Sequence, residues 1–187
     1  FGKGPENNPD HDSLIFDMSG GEIFVDGPYG GQGICTNATG GIYAGFTINL
    51  TDTAKVTVKD EEGCGMYLPG PGITNISDDV EISSVNQGIR IAAGTLNING
   101  GTISNNDDHD ETVDIVSGGN GGTAGTIVAG KAGSGYPSDI VINITGGTLE
   151  NEANDSDAIV VTDKNMGSDG YADTKIEVNV SGEETNI

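Results

Sequence analysis

Short runs in which aliphatic and polar residues alternate recur along most of the chain. One is GTLNINGGTIS at residues 94–104, and DIVINITGGTLE at residues 139–150 repeats its frame of aliphatic, Asn, aliphatic, any residue, Gly-Gly-Thr, aliphatic. A period of two puts successive side chains on opposite faces of a strand, and Ile, Val and Thr favour strands. No window keeps the spacing of an amphipathic helix for more than about one turn. The pattern therefore predicts an all-β protein.

Equivalent runs return at a nearly constant spacing. The runs GMYL (65–68), GIRI (88–91), TVDI (112–115) and AIVV (158–161) start 23, 24 and 46 residues apart. GIYA at 41–44 precedes the first of them by 24 residues. Because 46 is twice 23, these runs define a repeat with one period.

Two further rows share this spacing. One aligns Ile73, Leu96 and Ile142, and the other aligns Val80, Ile103 and Leu149. Three rows on one period define a unit of three short strands, which buries its apolar residues only by stacking on neighbouring units. The step of 46 residues predicts an intermediate coil centred on TAGTIVAG at 123–130. The predicted architecture is a parallel β-helix with three strands in each coil of about 23 residues.

The repeat divides the chain into two parts. Residues 1–40 fit the period less well and are predicted to form a degenerate coil or cap, and residues 41–187 form the coils of a single domain. Loops are expected near 131–138 and 164–173, where the spacing leaves extra residues. An open end of such a stack exposes unpaired strand edges, so the missing cover favours a segment of a longer protein.

The phrase Gly-Gly-Thr-Ile-x-Asn at 100–105, together with the period, resembles the repeats of right-handed parallel β-helix proteins, the pectate-lyase-like superfamily. It is especially similar to repeats in large surface proteins of Gram-positive gut bacteria and in β-helical carbohydrate-binding domains. The resemblance covers roughly residues 41–182. It implies a right-handed coil and a role at the bacterial cell surface or in carbohydrate binding.

The net charge of the chain excludes some classes of binding partner. The formal net charge is −22, from 29 acidic and 7 basic residues. A chain of this charge repels nucleic acid and anionic membranes, and it has no apolar stretch of membrane-spanning length. We therefore expect a secreted or cell-surface protein whose partner is neither nucleic acid nor the membrane interior.

Alternation assigns an outward column to the row that begins with GIYA. Its members are Tyr43, Tyr67, Arg90 and Asp114, and neighbouring members are expected about 4.8 Å apart, the spacing of paired strands. A sugar ring stacks on an aromatic face, and arginine offers paired donors to a hydroxyl or carboxylate. The column is a predicted ligand-binding site for a polysaccharide or a host surface protein. The alternative is a set of residues that pack well on a strand face.

Acidic residues recur in the turn that follows the Gly-Gly-Thr phrase. They are Asp107, Asp108 and Asp110 after the first copy, and Asp155 and Asp157 after the second. Carboxylate, amide and carbonyl oxygens are the ligands that Ca²⁺ prefers, so these residues are the predicted metal site. No EF-hand loop or Gly-Gly-x-Gly-x-Asp repeat is present, and a solvated acidic edge that limits aggregation is the alternative.

The sequence offers little for catalysis. Lyases of the β-helix class combine a cationic base with Ca²⁺-binding carboxylates, and Asp114 is the only acidic neighbour of Arg90 in the column. No motif for nucleophilic, phosphate or zinc chemistry occurs. Cys35 and Cys64 either form a disulfide or lie buried as small apolar residues. We therefore predict a non-catalytic binding or adhesion module. A polysaccharide lyase or glycoside hydrolase, and a structural stalk, are the alternatives.

Overall fold

The described part of the protein consists of strands and turns. The computed structural model describes residues 14–27, 31–36, 46–60, 63–106, 124–130, 139–152, 157–162 and 175–187. Over these ranges there is no helix, and so none that crosses a membrane. The prediction of an all-β protein is confirmed.

The strands form two curled sheets, one of ten strands and one of five, within the described ranges. In chain order they are β1 (Leu14–Met18), β2 (Glu22–Val25), β3 (Gln32–Cys35), β4 (Phe46–Leu50), β5 (Lys55–Val58), β6 (Cys64–Leu68), β7 (Ile73–Ile76), β8 (Glu81–Ser84), β9 (Gln87–Ile91), β10 (Gly94–Asn105), β11 (Gly125–Gly130), β12 (Ile140–Asn151), β13 (Asp157–Thr162), β14 (Ile176–Val180) and β15 (Thr185–Asn186). All pairings between described strands are parallel. The predicted parallel arrangement is therefore confirmed.

The pairings sort the strands into three ladders. The first ladder contains β1, β4, β7, the first halves of β10 and β12, and β14. The second contains β2, β5, β8, the second halves of β10 and β12, and β15. The third is the five-stranded sheet of β3, β6, β9, β11 and β13. Along the chain, successive strands enter the first, second and third ladders in that order, and the order then repeats.

Glycines allow the two longest strands to bend from the first ladder into the second. Gly101 in β10 has φ +82° and Gly147 in β12 has φ +90°, values that side-chain-bearing residues rarely adopt. A Cβ at Gly101 would also lie 2.6 Å from the carbonyl oxygen of Val80. The Gly-Gly pair is therefore a corner of the ten-stranded sheet.

The alternating pattern supplies the main core. In β4, β5 and β8 every second side chain is buried, as the period of two predicts. The largest fully covered apolar side chains come from all three ladders, and they are Ile48, Leu50, Met66, Leu68, Ile76, Ile82, Ile89, Ile91, Leu96, Ile98 and Ile103. The core thus lies between the two sheets and runs along the direction in which the strands stack.

In two of the predicted side-chain rows, the pairing between β10 and β12 agrees with the prediction. The pairing of β10 with the preceding strand is shifted. Leu96 pairs with Ile142, and Ile103 pairs with Leu149, as predicted. Thr74 stands opposite Leu96 in place of Ile73, and Ile82 stands opposite Ile103 in place of Val80. A shift of one residue moves a side chain to the other face of a strand. Ile73 is accordingly 46% exposed, whereas Thr74 is 1% exposed.

The predicted intermediate coil is wrong. Thr95 pairs directly with Val141, 46 residues later, so no strand lies between β10 and β12 in the first ladder. β11, which lies in the stretch predicted to centre that coil, belongs to the third ladder between β9 and β13. The chain from Thr95 to Val141 therefore passes through the three ladders once rather than twice.

A row of hydrogen-bonded amides runs along the outer face of the first ladder. Each asparagine donates from Nδ2 to the side chain one strand earlier. The bonds run from Asn49 to Asp17 Oδ1 (2.7 Å), from Asn75 to Asn49 Oδ1 (2.8 Å), from Asn97 to Asn75 Oδ1 (2.8 Å), from Asn143 to Asn97 Oδ1 (2.9 Å) and from Asn179 to Asn143 Oδ1 (3.0 Å). We call this set the asparagine row. All of its bonds point the same way, so the row has a direction.

A glycine column lies inside the third ladder. A Cβ added to Gly33 would lie 2.6 Å from the carbonyl oxygen of Gly65, and one added to Gly65 would lie 2.5 Å from that of Gly88. One added to Gly88 would lie 2.6 Å from that of Thr126. Since real Cβ atoms do not approach oxygens this closely, these three strands can stack only with glycine in the column.

Candidate binding groove

The structure brings two of the predicted ligand-binding residues together and buries both. Tyr67 and Arg90 are register partners in β6 and β9, and the Arg90 Cζ atom lies 5.7 Å from the centroid of the Tyr67 ring. Tyr67 is 5% exposed and Arg90 is 0% exposed. The expectation of a solvent-facing column is therefore wrong for these two residues. Their predicted role in binding a ligand stays a prediction.

The neighbours of this pair also differ from the prediction. β6 pairs with β3 on its other side, which puts Cys35 opposite Tyr67 in the place predicted for Tyr43. β9 pairs with β11, which puts Val128 opposite Arg90 in the place predicted for Asp114. Tyr43 and Asp114 themselves lie outside the described residues.

One residue of the predicted metal site, Asp157, is among those that the structure describes. Asp107, Asp108, Asp110 and Asp155 lie outside the described residues. Asp157 is the exposed first residue of β13 and pairs with Gly125. Among the described residues, no group of three or more His, Cys, Asp or Glu side chains is placed to hold a metal ion. The Ca²⁺ site stays a prediction.

The two cysteines do not form a disulfide. Cys35 stands opposite Tyr67, and Cys64 stands opposite Gln32, so the two cysteines are offset by three residues along neighbouring strands. At about 3.3 Å per residue, this offset separates their Cα atoms by more than the roughly 7 Å that a disulfide spans. Cys64 packs instead with Tyr67 and Ala92 in a small apolar cluster.

We expect Cys64 to resist alkylation in the folded protein at pH 8. Burial raises the pKa of its thiol to about 12, although the charge of Arg90 acts in the opposite direction. The thiolate is the reactive species, so a buried thiol that stays protonated reacts slowly. Mass spectrometry after iodoacetamide treatment should show Cys64 modified only once denaturant is added. Rapid native labelling of Cys64 would contradict the burial of this strand.

A groove of mixed polar and apolar lining lies where the strands of the second ladder end. It has a volume of about 280 Å³ and is lined by residues from four successive strands and the turns that follow them, namely Thr57, Val58, Lys59, Ser83, Ser84, Val85, Ser104, Asn106 and Glu152. The groove therefore runs along the direction in which the strands stack.

A column of hydroxyl groups lines one wall of the groove. Thr57, Ser83 and Ser104 are consecutive register partners, so their side chains follow one another at about 4.8 Å. Each sits between two inward-facing residues of its strand, which turns the hydroxyl outward. Thr57 Oγ1 donates to Glu22 Oε1 at 2.9 Å. Within the described part of the chain, no hydrogen bond occupies the hydroxyls of Ser83 and Ser104.

An exposed aromatic ring continues the hydroxyl column at one end. Phe24 is the register partner of Thr57 and is 52% exposed. The ammonium group of Lys59 lies 5.4 Å from the centroid of its ring. The other end of the groove carries the carboxylate of Glu152. The groove thus offers hydroxyls, an amide, one ammonium group and one carboxylate, and the ring of Phe24 lies beside it in register with Thr57.

Hydrogen-bonded charges stand beside the groove on the same strands. Lys55 Nζ lies 2.7 Å from Glu81 Oε2, and Glu22 is the partner of Lys55 on its other side. The hydrogen bond from Lys55 to Glu81, and then the charge of Glu81, raise the pKa of the lysine. Lys55 and Glu81 therefore pair with each other, whereas Glu22 accepts a hydrogen bond from Thr57.

Sequence reasoning missed the groove. The signal was present in the frames KVTV (55–58), EISS (81–84) and TISN (102–105), each with a hydroxyl residue after an inward aliphatic residue. Aligning Ile103 with Val80 instead of Ile82 hid it, because the hydroxyl residues then no longer coincide. Searches of protein-family models, of curated proteins and of solved structures each returned no match to the chain.

Proposed function

We propose that the chain is a right-handed parallel β-helix that acts as a non-catalytic, glycan-binding module of a secreted or surface-anchored bacterial protein. The repeated order of the three ladders supports the β-helix, since a coil that returns to the same ladders produces that order. The similarity of its repeats to those of bacterial surface proteins supports the location.

The observation that carries the binding function is the groove along the second ladder. Its hydroxyls of Ser83 and Ser104 are unoccupied within the described residues, and Asn106 and Glu152 add an amide and a carboxylate. Neutral sugars are recognised by such donors and acceptors, combined with an aromatic ring that covers an apolar sugar face. The exposed ring of Phe24 lies beside the groove, opposite Thr57, and supplies such a surface next to the ammonium group of Lys59.

The net charge of the chain indicates whether the proposed glycan is charged or neutral. A net charge of −22 repels polyanions such as acidic polysaccharides. The groove contains one ammonium group and one carboxylate, so it adds no cationic patch that would offset this repulsion. The proposed ligand is therefore an uncharged polysaccharide, extended along the stacking direction across several strands.

The test measures binding to a panel of soluble neutral polysaccharides by affinity electrophoresis, followed by calorimetry on any binder. The double variant Ser83→Ala/Ser104→Ala should weaken binding by about tenfold or more, because each lost hydrogen bond contributes on the order of 1 kcal/mol. The matched control is Thr102→Ala/Thr148→Ala, which removes two hydroxyls from the adjacent column of the same ladder. Equal losses in both double variants would contradict the groove as the site.

The rival functions give different results in the same experiments. Release of unsaturated or reducing ends from any polysaccharide would favour the lyase or hydrolase. An empty panel together with capture of a host surface protein would favour protein adhesion, and no partner of either kind would favour a stalk. Thermal unfolding in chelator and in excess Ca²⁺ tests the proposed cofactor, since a bound Ca²⁺ ion would raise the melting temperature.

A further inference from the structure

A second column of side chains lines the groove beside the hydroxyl column. It consists of the residues that directly follow the ends of four strands of the second ladder, in the order Lys59, Val85, Asn106 and Glu152. Those strand ends are register partners, so the four residues also stand side by side at about 4.8 Å. We call this set the mixed column. Two residues of a strand, or about 6.6 Å, separate it from the hydroxyl column.

The mixed column has one apolar member, and hydrogen-bonding groups lie on both sides of it. Val85 is half-buried, whereas its neighbours Lys59 and Asn106 are exposed. The ammonium group of Lys59 is directed to the ring of Phe24. Within the described part of the chain, no hydrogen bond occupies the side-chain amide of Asn106. A group bound at this point therefore meets an aliphatic surface directly beside an amide that can both donate and accept.

A sugar that carries only hydroxyl groups does not complement this arrangement. A hydroxyl placed against Val85 loses its water without gaining a hydrogen bond, which is unfavourable. The residues between the two columns supply no substitute, because Val58 is 2% exposed and the Ser84 hydroxyl already donates to the carbonyl oxygen of Gln87. The mixed column therefore favours a ligand with a small apolar group next to hydrogen-bonding atoms.

We propose that the groove recognises an N-acetylated amino sugar, an inference that rests on the proposed glycan-binding function and specifies its ligand. The methyl of the acetamido group contacts Val85, and its carbonyl oxygen accepts a hydrogen bond from Asn106 Nδ2. Its N–H donates to a serine hydroxyl of the hydroxyl column. Since the acetamido group is uncharged, the net charge of −22 does not oppose its binding.

The test compares two oligosaccharides of the same length and linkage, one of N-acetylglucosamine and one of glucose, which differ only in the acetamido group. Calorimetry should show at least about tenfold tighter binding of the N-acetylated one, because a buried methyl group and one added hydrogen bond together account for that factor. Equal affinities, or tighter binding of the glucose oligosaccharide, would overturn this proposal and leave the glycan-binding function in place. Binding of neither would overturn it too, and an empty panel of neutral polysaccharides would also contradict the glycan-binding function.

The variant Val85→Thr tests the apolar contact. Threonine keeps the shape of valine and puts a hydroxyl in place of one methyl, so the ratio of the two affinities should fall by about threefold or more. Ile73→Thr is the matched control, since it makes a similar change at an exposed residue of the first ladder, and it should keep the parent's ratio. The ratio compares two ligands on one protein, so a misfolded fraction does not change it. An unchanged ratio in Val85→Thr would overturn the proposal.

The variant Asn106→Asp tests the polar contact. A carboxylate keeps the shape of the amide but has no proton to donate, so the acetamido carbonyl oxygen would face another acceptor. Binding of the N-acetylated oligosaccharide should weaken by about tenfold or more. Asn186→Asp adds the same charge in β15, away from the groove, and should bind as the parent does. Equal losses in the two variants would mean that charge alone acts and would overturn the role of Asn106.

Discussion

Replacing Gly65 with alanine is expected to lower the free energy of unfolding by about 3 kcal/mol, the upper part of the range for overpacked interiors. The new methyl group would lie 2.5 Å from the carbonyl oxygen of Gly88 and 2.6 Å from Ile82 Cγ2. The first of these atoms is backbone and is held in the third ladder. The strands β6 and β9 must therefore separate locally, which weakens their pairing and the core beneath it.

Urea denaturation followed by far-ultraviolet circular dichroism measures this effect. Gly27→Ala is the matched control, because a Cβ at Gly27 meets no atom within 4 Å. The control should change the midpoint little, and the slope of the transition should stay the same in both variants. A Gly65→Ala protein as stable as the control would mean that the glycine column is not closely packed.

The second large effect is expected from Leu96→Ala, at about 3 kcal/mol of lost stability. Leu96 is 0% exposed and lies in the core cluster, so its truncation leaves a cavity as well as removing apolar burial. Ile73→Ala should cost under about 1 kcal/mol, because that side chain faces outward and contributes mainly strand preference.

The pair of variants also tests the register of β7. Thermal and urea unfolding of Leu96→Ala and Ile73→Ala, measured side by side, should differ by about 2 kcal/mol or more. If Ile73 were inside the core, as simple alignment of the two residues predicts, both truncations would cost similar amounts. Similar losses would therefore contradict the structure at this strand.

The class of fold could be predicted because the alternating pattern depends on local chemistry alone. Inward aliphatic and outward polar residues specify strands, and the shared frame around Asn97 and Asn143 specifies that the two strands pair in register. The pairing of Leu96 with Ile142 follows from that frame. Predicting these features does not require the path of the connections between the strands.

The circuit between strands could not be predicted in the same way. Equal spacings predict coils of equal length, but partners in the first ladder are separated by 32 residues from Leu14 to Phe46 and by 46 from Thr95 to Val141. Chain can be inserted between strands without disturbing the pairing. A period is therefore a poor guide to register, and Ile73 was misplaced by a single residue.

The candidate site could not be predicted for a different reason. Alternation correctly separated Tyr67 from the inward residues of its strand, but it carries no information on whether the outer face is covered. Tyr67 and Arg90 are both buried despite facing away from the main core. The groove depends on which hydroxyl residues of distant strands become neighbours, and that follows only from the correct register.

The stacking of parallel strands has a mechanical consequence. Hydrogen bonds between strands lie across the strands, so in the first ladder they run roughly along the line from β1 to β14. A tensile load along that line acts on all the interfaces in series, so the weakest interface opens first and the strands detach one at a time. The ladders would then yield in small steps, each lengthening the chain and dissipating work, rather than failing in a single rupture.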